Sequence, residues 1–168
     1  MDPDLSATNQ PYTYGSDDPV NESDRTGDDA ATVVEQFPLR SGGTTPLREG
    51  CSTCNFGLWK INNKHNLYNL NIIAYTVLYG YRANPSPGVY EYLQAFSNVY
   101  SSSLQINLLV VSNQNAGFDP RILGLEVGIV TAYCVGVTEC PMWVNVVGLR
   151  PIATLTSVFS YVNESDWD

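Results

Sequence analysis

Charge is scarce in this sequence, and positive charge scarcest. Only 15% of the 168 residues are charged, with eight Lys and Arg against 17 Asp and Glu, where an ordinary soluble domain is about 25% charged. A net charge of −9 argues against a nucleic-acid binder, because phosphate neutralisation needs clustered Lys and Arg. Attraction to anionic lipid is disfavoured for the same reason. Long apolar runs are also missing: stretches such as Leu108–Val111 fall far below the roughly 20 residues a spanning helix needs. The opening Met1-Asp2-Pro3-Asp4 has neither a basic nor an apolar leader region, so no signal peptide is expected.

Motifs for catalysis are lacking too. There is no Walker loop, dinucleotide fingerprint or paired-histidine metal motif. One histidine, His65, lies in a polar stretch, and Ser101, Ser102 and Ser103 are not set in a nucleophile elbow. Glu49, Glu91, Asp119, Glu126 and Glu139 are scattered singly, whereas a glycosidase needs two acids across a cleft. The Asp-rich stretch from Asp17 to Asp29 lacks calcium-loop spacing. The expectation is a protein that is not an enzyme and carries no cofactor.

What the sequence does have is a division of charge. Residues 1–32 hold eight acids and one base, net −7; residues 33–168 hold nine acids and seven bases, net −2. The first segment has too few large apolar residues to offset its ordering entropy. From composition it reads as a disordered acidic tail; the other reading is an extended segment that orders by lying on another copy or a neighbouring subunit. Residues 33–46 read as an arm strand and linker. Val33, Val34, Phe37 and Leu39 are its apolar positions, Pro38 confines it to an edge, and Ser41–Pro46 is the linker. Two readings stand: an ordinary first strand, or a strand given to a neighbouring subunit.

Residues 47–168 read as a β-sandwich domain. Expected strands are Phe56–Ile61, Leu67–Tyr81 (one long strand, or two with a bulge), a segment carrying Leu104, Ile106, Leu108 and Val110, another carrying Leu123, Leu125, Val127 and Ile129, then Met142–Leu149 and Thr154–Val162. Asn62–Asn66 is expected as a turn and Asn113–Pro120 as a loop. Val89, Tyr92, Leu93, Phe96 and Tyr100 recur at helical spacing and predict one short helix. Leu104, Ile106, Leu108, Leu125, Val127 and Ile129 are the expected core. The fold class is therefore all-β: a single β-sandwich or jelly roll, with one helix in a connection and an extended acidic arm.

Four cysteines come as two close couples, Cys51 with Cys54 and Cys134 with Cys140. Disulfides within or between chains, a Cys₄ zinc site and unpaired packing thiols are the open readings. A thioredoxin-like role lacks its βαβ context. Asn21-Glu22-Ser23 and Asn163-Glu164-Ser165 are glycan sequons.

Jelly-roll and sandwich subunits build virus shells and extracellular fibres. By that fold-level analogy the expected function is a structural, self-assembling subunit of a filament or virus particle, an outer, minor or cementing component because its arm is acidic. Its partners would be other copies or neighbouring structural subunits, with no nucleic acid and no membrane, in a virion or extracellular filament. The alternative is a carbohydrate- or protein-binding β-sandwich module that offers Tyr79, Tyr81, Tyr90 and Tyr92 as an aromatic platform.

Overall fold

The computed structural model describes residues 30–117, 119–146 and 148–152. The acidic segment up to residue 29, the sequon residues Asn21 and Asn163, and the expected strand Thr154–Val162 lie outside the described residues. Among the described residues seven strands run in the order β1 (Val33–Pro38), β2 (Thr44–Arg48), β3 (Tyr81–Ser86), β4 (Val89–Asn98), β5 (Gln105–Ala116), β6 (Glu126–Cys134) and β7 (Leu149–Ile152), with helices α1 (Leu58–His65) and α2 (Leu70–Tyr79) between β2 and β3. The described chain is thus mostly β, with two sheets and two helices in a sandwich-like arrangement.

Two expected strands are helices. Gly57 opens α1 at φ +91°, and the left-handed Asn66 closes it: the Asn66 N–H donates to the Asn62 carbonyl and the Leu67 N–H to the Ile61 carbonyl. Lys64 and His65 occupy its last turn, where cations suit the helix dipole. The expected turn at Asn62–Asn66 is therefore mostly helix. In α2, Ile72, Ile73, Thr76 and Val77 are buried together, and the Thr76 hydroxyl donates back to the Ile72 carbonyl at 2.7 Å. The β-branched residues that suggest a strand here are outweighed by what this face buries against.

The expected helix is in turn a strand. Along β4, Tyr92 and Phe96 project into one core while Leu93 and Ala95 are buried on the other side. A strand buried on both faces loses its alternation, and apolar residues three and four apart then imitate a helix.

The larger sheet is an antiparallel meander, β3-β4-β5-β6. β3 and β7 share one flank of β4: β3 pairs with Val89–Leu93 and β7 with Ala95–Asn98. At their junction the Gln94 amide donates to the Ile152 carbonyl at 2.8 Å. Among the described residues this order does not show the interleaved Greek keys of a jelly roll.

One face of this sheet carries the main core. Tyr92, Phe96, Leu108, Val110, Ile129 and Ala132 meet Ile61, Ile72, Ile73 and Val77 of the helices and Phe37 and Leu47 of the β1–β2 hairpin. The arm reading is thereby corrected for these residues: β1 pairs with β2 of its own chain, Phe37 is buried and Leu39 packs on the same core. Only Val33 and Val34 remain exposed. The expected linker is a tight hairpin turn in which the Leu39 N–H donates to the Gly43 carbonyl at 3.0 Å.

The hairpin also covers the outer margin of β6. Arg48, itself buried, donates from Nε and Nη2 to the Glu126 carbonyl, and the Gly57 N–H donates to the Val130 carbonyl. Gly128 lies so close to Pro46 that a Cβ would overlap the Pro46 carbonyl oxygen.

The other expected strands shift. β5 runs on to Ala116 through the expected loop, and β6 starts only at Glu126. Leu104, Leu123 and Leu125 are consequently exposed outside the strands, while Leu108, Val127 and Ile129 are buried and Ile106 is half-buried. Met142–Asn145 is a 3₁₀ turn, and strand resumes at Leu149.

The second face of the sheet buries Leu93, Leu109 and Val111. Glu91 shares this side of β4 with Leu93 and is buried; burial pushes its carboxyl above the usual range. Because the folded-state value lies above the unfolded one, its contribution to stability is whole below the unfolded pKa and is lost as pH rises through the folded pKa. Glu91→Gln is therefore expected to raise the melting temperature at neutral pH and to leave it nearly unchanged where the carboxyl is protonated. An equal gain at both pH values in thermal unfolding would show that burial of charge is not the cause.

Candidate functional site: an uncharged groove at one end of the sheet

A ladder of asparagines ties the loop between the helices to the segment before β7. The Asn66 amide donates to the Cys140 carbonyl at 3.0 Å, the Asn69 amide to the Val144 carbonyl at 3.2 Å and the Asn145 amide to the Asn66 carbonyl at 2.8 Å. The Asn145 side-chain oxygen accepts from the Tyr68 N–H at 2.7 Å, and the His65 carbonyl accepts from the Cys140 N–H at 2.7 Å. Short polar side chains that bond to backbone in this way fix loops that have no ladder of their own.

The loops so fixed wall a groove of about 500 Å³ between Tyr68–Ile72 on one side and Asn145, Val146, Gly148 and Leu149 on the other, with no charged side chain among the described residues of its lining. Tyr68 and Val146 are exposed along it. Past Gly148 the surface continues onto the β4–β5 turn: a Cβ on Gly148 would lie 2.9 Å from the Val99 side chain and 3.4 Å from the Tyr100 ring. The Val99 N–H donates to the Gly148 carbonyl at 2.8 Å, and Tyr100 is 89% exposed. Tyr68, Val146, Val99 and Tyr100 thus border one neutral surface, built from three separate stretches of chain.

Both cysteine couples are disulfides. Cys134–Cys140 (Cα–Cα 5.2 Å) joins the end of β6 to the segment the asparagines hold. Cys51–Cys54 (Cα–Cα 4.9 Å) sits in a small cluster with Ala30, Phe56, Ile122 and Val127. Arg121 spans this second bridge, donating to Cys51 Sγ at 2.7 Å and to Thr53 Oγ1 at 3.1 Å while paired with Asp119 at 2.7 Å. Hydrogen bonds from Arg121 hold the Asp119 carboxyl down at about 2. With all four cysteine sulfurs in bridges, no thiolate is left for the Cys₄ zinc reading. Among the described residues no group of three His, Cys, Asp or Glu is placed to hold a metal.

His65 packs against Tyr133, ring centroids 5.3 Å apart. Burial, then Lys60 and Lys64, depress its pKa. Ser101 and Ser103 bond each other in the β4–β5 turn at 2.9 Å. The four tyrosines expected as a platform are not brought together: Tyr92 is buried, Tyr90 lies half-buried beneath Arg82, and Tyr79 and Tyr81 are exposed. Glu126 accepts from the Thr45 hydroxyl at 3.2 Å and is half-buried at the hairpin.

The chain matches no family model, no curated protein and no solved structure. Sequence reasoning missed the groove altogether. Its only signal was the density of asparagine between residues 62 and 71.

Proposed function

We propose that this chain is a structural, self-assembling subunit that meets neighbouring copies through its uncharged end face. The acidic N-terminal segment reaches onto a neighbour. One observation carries the reading: Tyr68 and Val146 stand exposed on a groove with no charged residue among its described lining, and Val99 and Tyr100 are exposed just past Gly148. A contiguous apolar surface of this kind marks a contact site, and amphipathic tyrosine suits an interface. A chain of net −9 repels its copies least where they touch through neutral residues. Two disulfides suit an oxidising exterior, such as the outside of a virion or an extracellular filament. The acidity of the arm favours an outer or cementing place over contact with a genome, and membrane is no part of the proposal.

Light scattering on the purified chain across a concentration series tests it. Oligomers should grow with concentration, and Tyr100→Asp combined with Val146→Asp should abolish them while leaving the circular dichroism spectrum intact. A native chain that stays monomeric throughout overturns the proposal. The exposed Tyr68 and Asn71 beside the groove favour the second reading, a carbohydrate-binding module; a stable monomer retained on a glycan array would establish it instead.

A further inference from the structure

The charge of the chain divides unevenly between its described and flanking parts. Residues 1–29 carry −7, residues 30–152 carry +1 and residues 153–168 carry −3, which together make the −9 of the whole. The described part is therefore slightly basic, and three of its seven cations are engaged on other groups of the fold. Arg48 is buried on backbone carbonyls, Arg121 is paired with Asp119, and the buried Lys60 donates to the Asn55 carbonyl.

Arg40 and Arg82 are different. Both are exposed, and both line a cleft of about 320 Å³ between the β1–β2 turn and the start of β3. Leu39 and Val77 give the cleft apolar wall, Ser41 and Tyr81 add hydroxyls, and no carboxylate is among the described residues of its lining. The Arg82 guanidinium carbon lies 3.9 Å from the Tyr90 ring centroid. That contact holds the side chain in place, so less rotamer entropy is lost when an anion arrives. Paired guanidiniums over apolar wall fit carboxylates carried on a chain with aromatic residues.

We propose that this cleft receives the acidic N-terminal segment of a second copy of the chain, with Asp17 and Asp18 on Arg40 and Arg82 and the nearby Tyr12 and Tyr14 against the apolar wall. The inference rests on the self-assembly reading and deepens it. Ala30, where the described chain begins, is buried with Val127 of β6. The cleft lies by β3, at the opposite margin of the β3-β4-β5-β6 sheet. A segment leaving one margin and received at the other makes a head-to-tail contact, which builds rings or filaments. From Ala30 back to Asp18 is about 40 Å of extended chain at the reach of ~3.3 Å per residue, enough to pass to a copy alongside. Asp28 and Asp29, tethered next to Ala30, have no such reach.

The test uses the full chain carrying Arg82→Lys, half of it labelled with heavy nitrogen, mixed at a concentration where it assembles and treated with a carbodiimide. Mass spectrometry should find position 82 of one isotope joined to Asp17 or Asp18 of the other. Links only within one isotope, or none to residues 1–29 in protein that remains assembled, overturn the inference and leave the self-assembly reading intact. A monomer in light scattering overturns both. Independently, Arg40→Glu with Arg82→Glu, folded by circular dichroism, should weaken assembly about tenfold, and a chain carrying both changes that also has Asp17→Lys and Asp18→Lys should recover it. Unchanged assembly in the arginine variant also overturns the inference.

Discussion

Gly128→Ala is expected to cost more than about 3 kcal/mol and to loosen the hairpin from the sheet. Gly128 sits in β6 at φ +80°, where any side chain strains the backbone by roughly 1–2 kcal/mol. Here a second cost is added, because the new Cβ would occupy the place of the Pro46 carbonyl oxygen. That neighbour is backbone of β2, so it can retreat only by moving the hairpin, and with it Leu47 and Phe37 in the main core. Gly124 supplies the control: its φ is +78°, yet nothing lies within 4 Å of its would-be Cβ. Gly124→Ala should therefore show the backbone strain alone. Urea unfolding of both variants measures the difference. Equal losses would mean that the approach of β2 to β6 is not close in solution.

Arg48→Met comes next in size, at about 3 kcal/mol. The methionine keeps much of the arginine stem's volume and apolar contact, so the loss isolates the guanidinium. Arg48 is 6% exposed, and its guanidinium donates to the Ala31 carbonyl at 2.6 Å and to the Glu126 carbonyl at 2.9 and 3.0 Å. Without it two half-buried carbonyls lose their donors, at roughly 1–3 kcal/mol each. A second readout follows from charge. The Glu126 carboxyl is raised by burial, and Arg48 partly offsets the rise, so its pKa should climb further in the variant. Chemical denaturation gives the first effect and NMR titration of Glu126 the second. A stable variant with an unmoved Glu126 would remove Arg48 from the role of clasp between hairpin and sheet.

Both effects arise at the junction of β2 and β6, residues about 80 apart in the chain, and nothing local announces it. Arg48 looks like any surface cation in sequence, and Gly128 like a break in an alternating strand. The neutral groove was equally hidden, because Tyr68, Tyr100 and Val146 come from stretches that only folding unites. The couples Cys51–Cys54 and Cys134–Cys140 could be picked out in advance, since short spacing alone brings their sulfurs within reach; their pairing came from the structure.

Sequence alone settles the mostly β character, the strand through Leu108 and Val110, the division of charge and the break at Ser41–Gly43. Composition, strict alternation and glycine or proline punctuation act locally and need no partner. Tertiary structure decided the rest. Leu70–Tyr79 became helix and Val89–Asn98 became strand because their apolar residues fit either period, and burial on one face or two chose between them. It likewise turned Phe37 inward and left Leu104 and Leu125 outside, since which side of a strand is core depends on what lies above it.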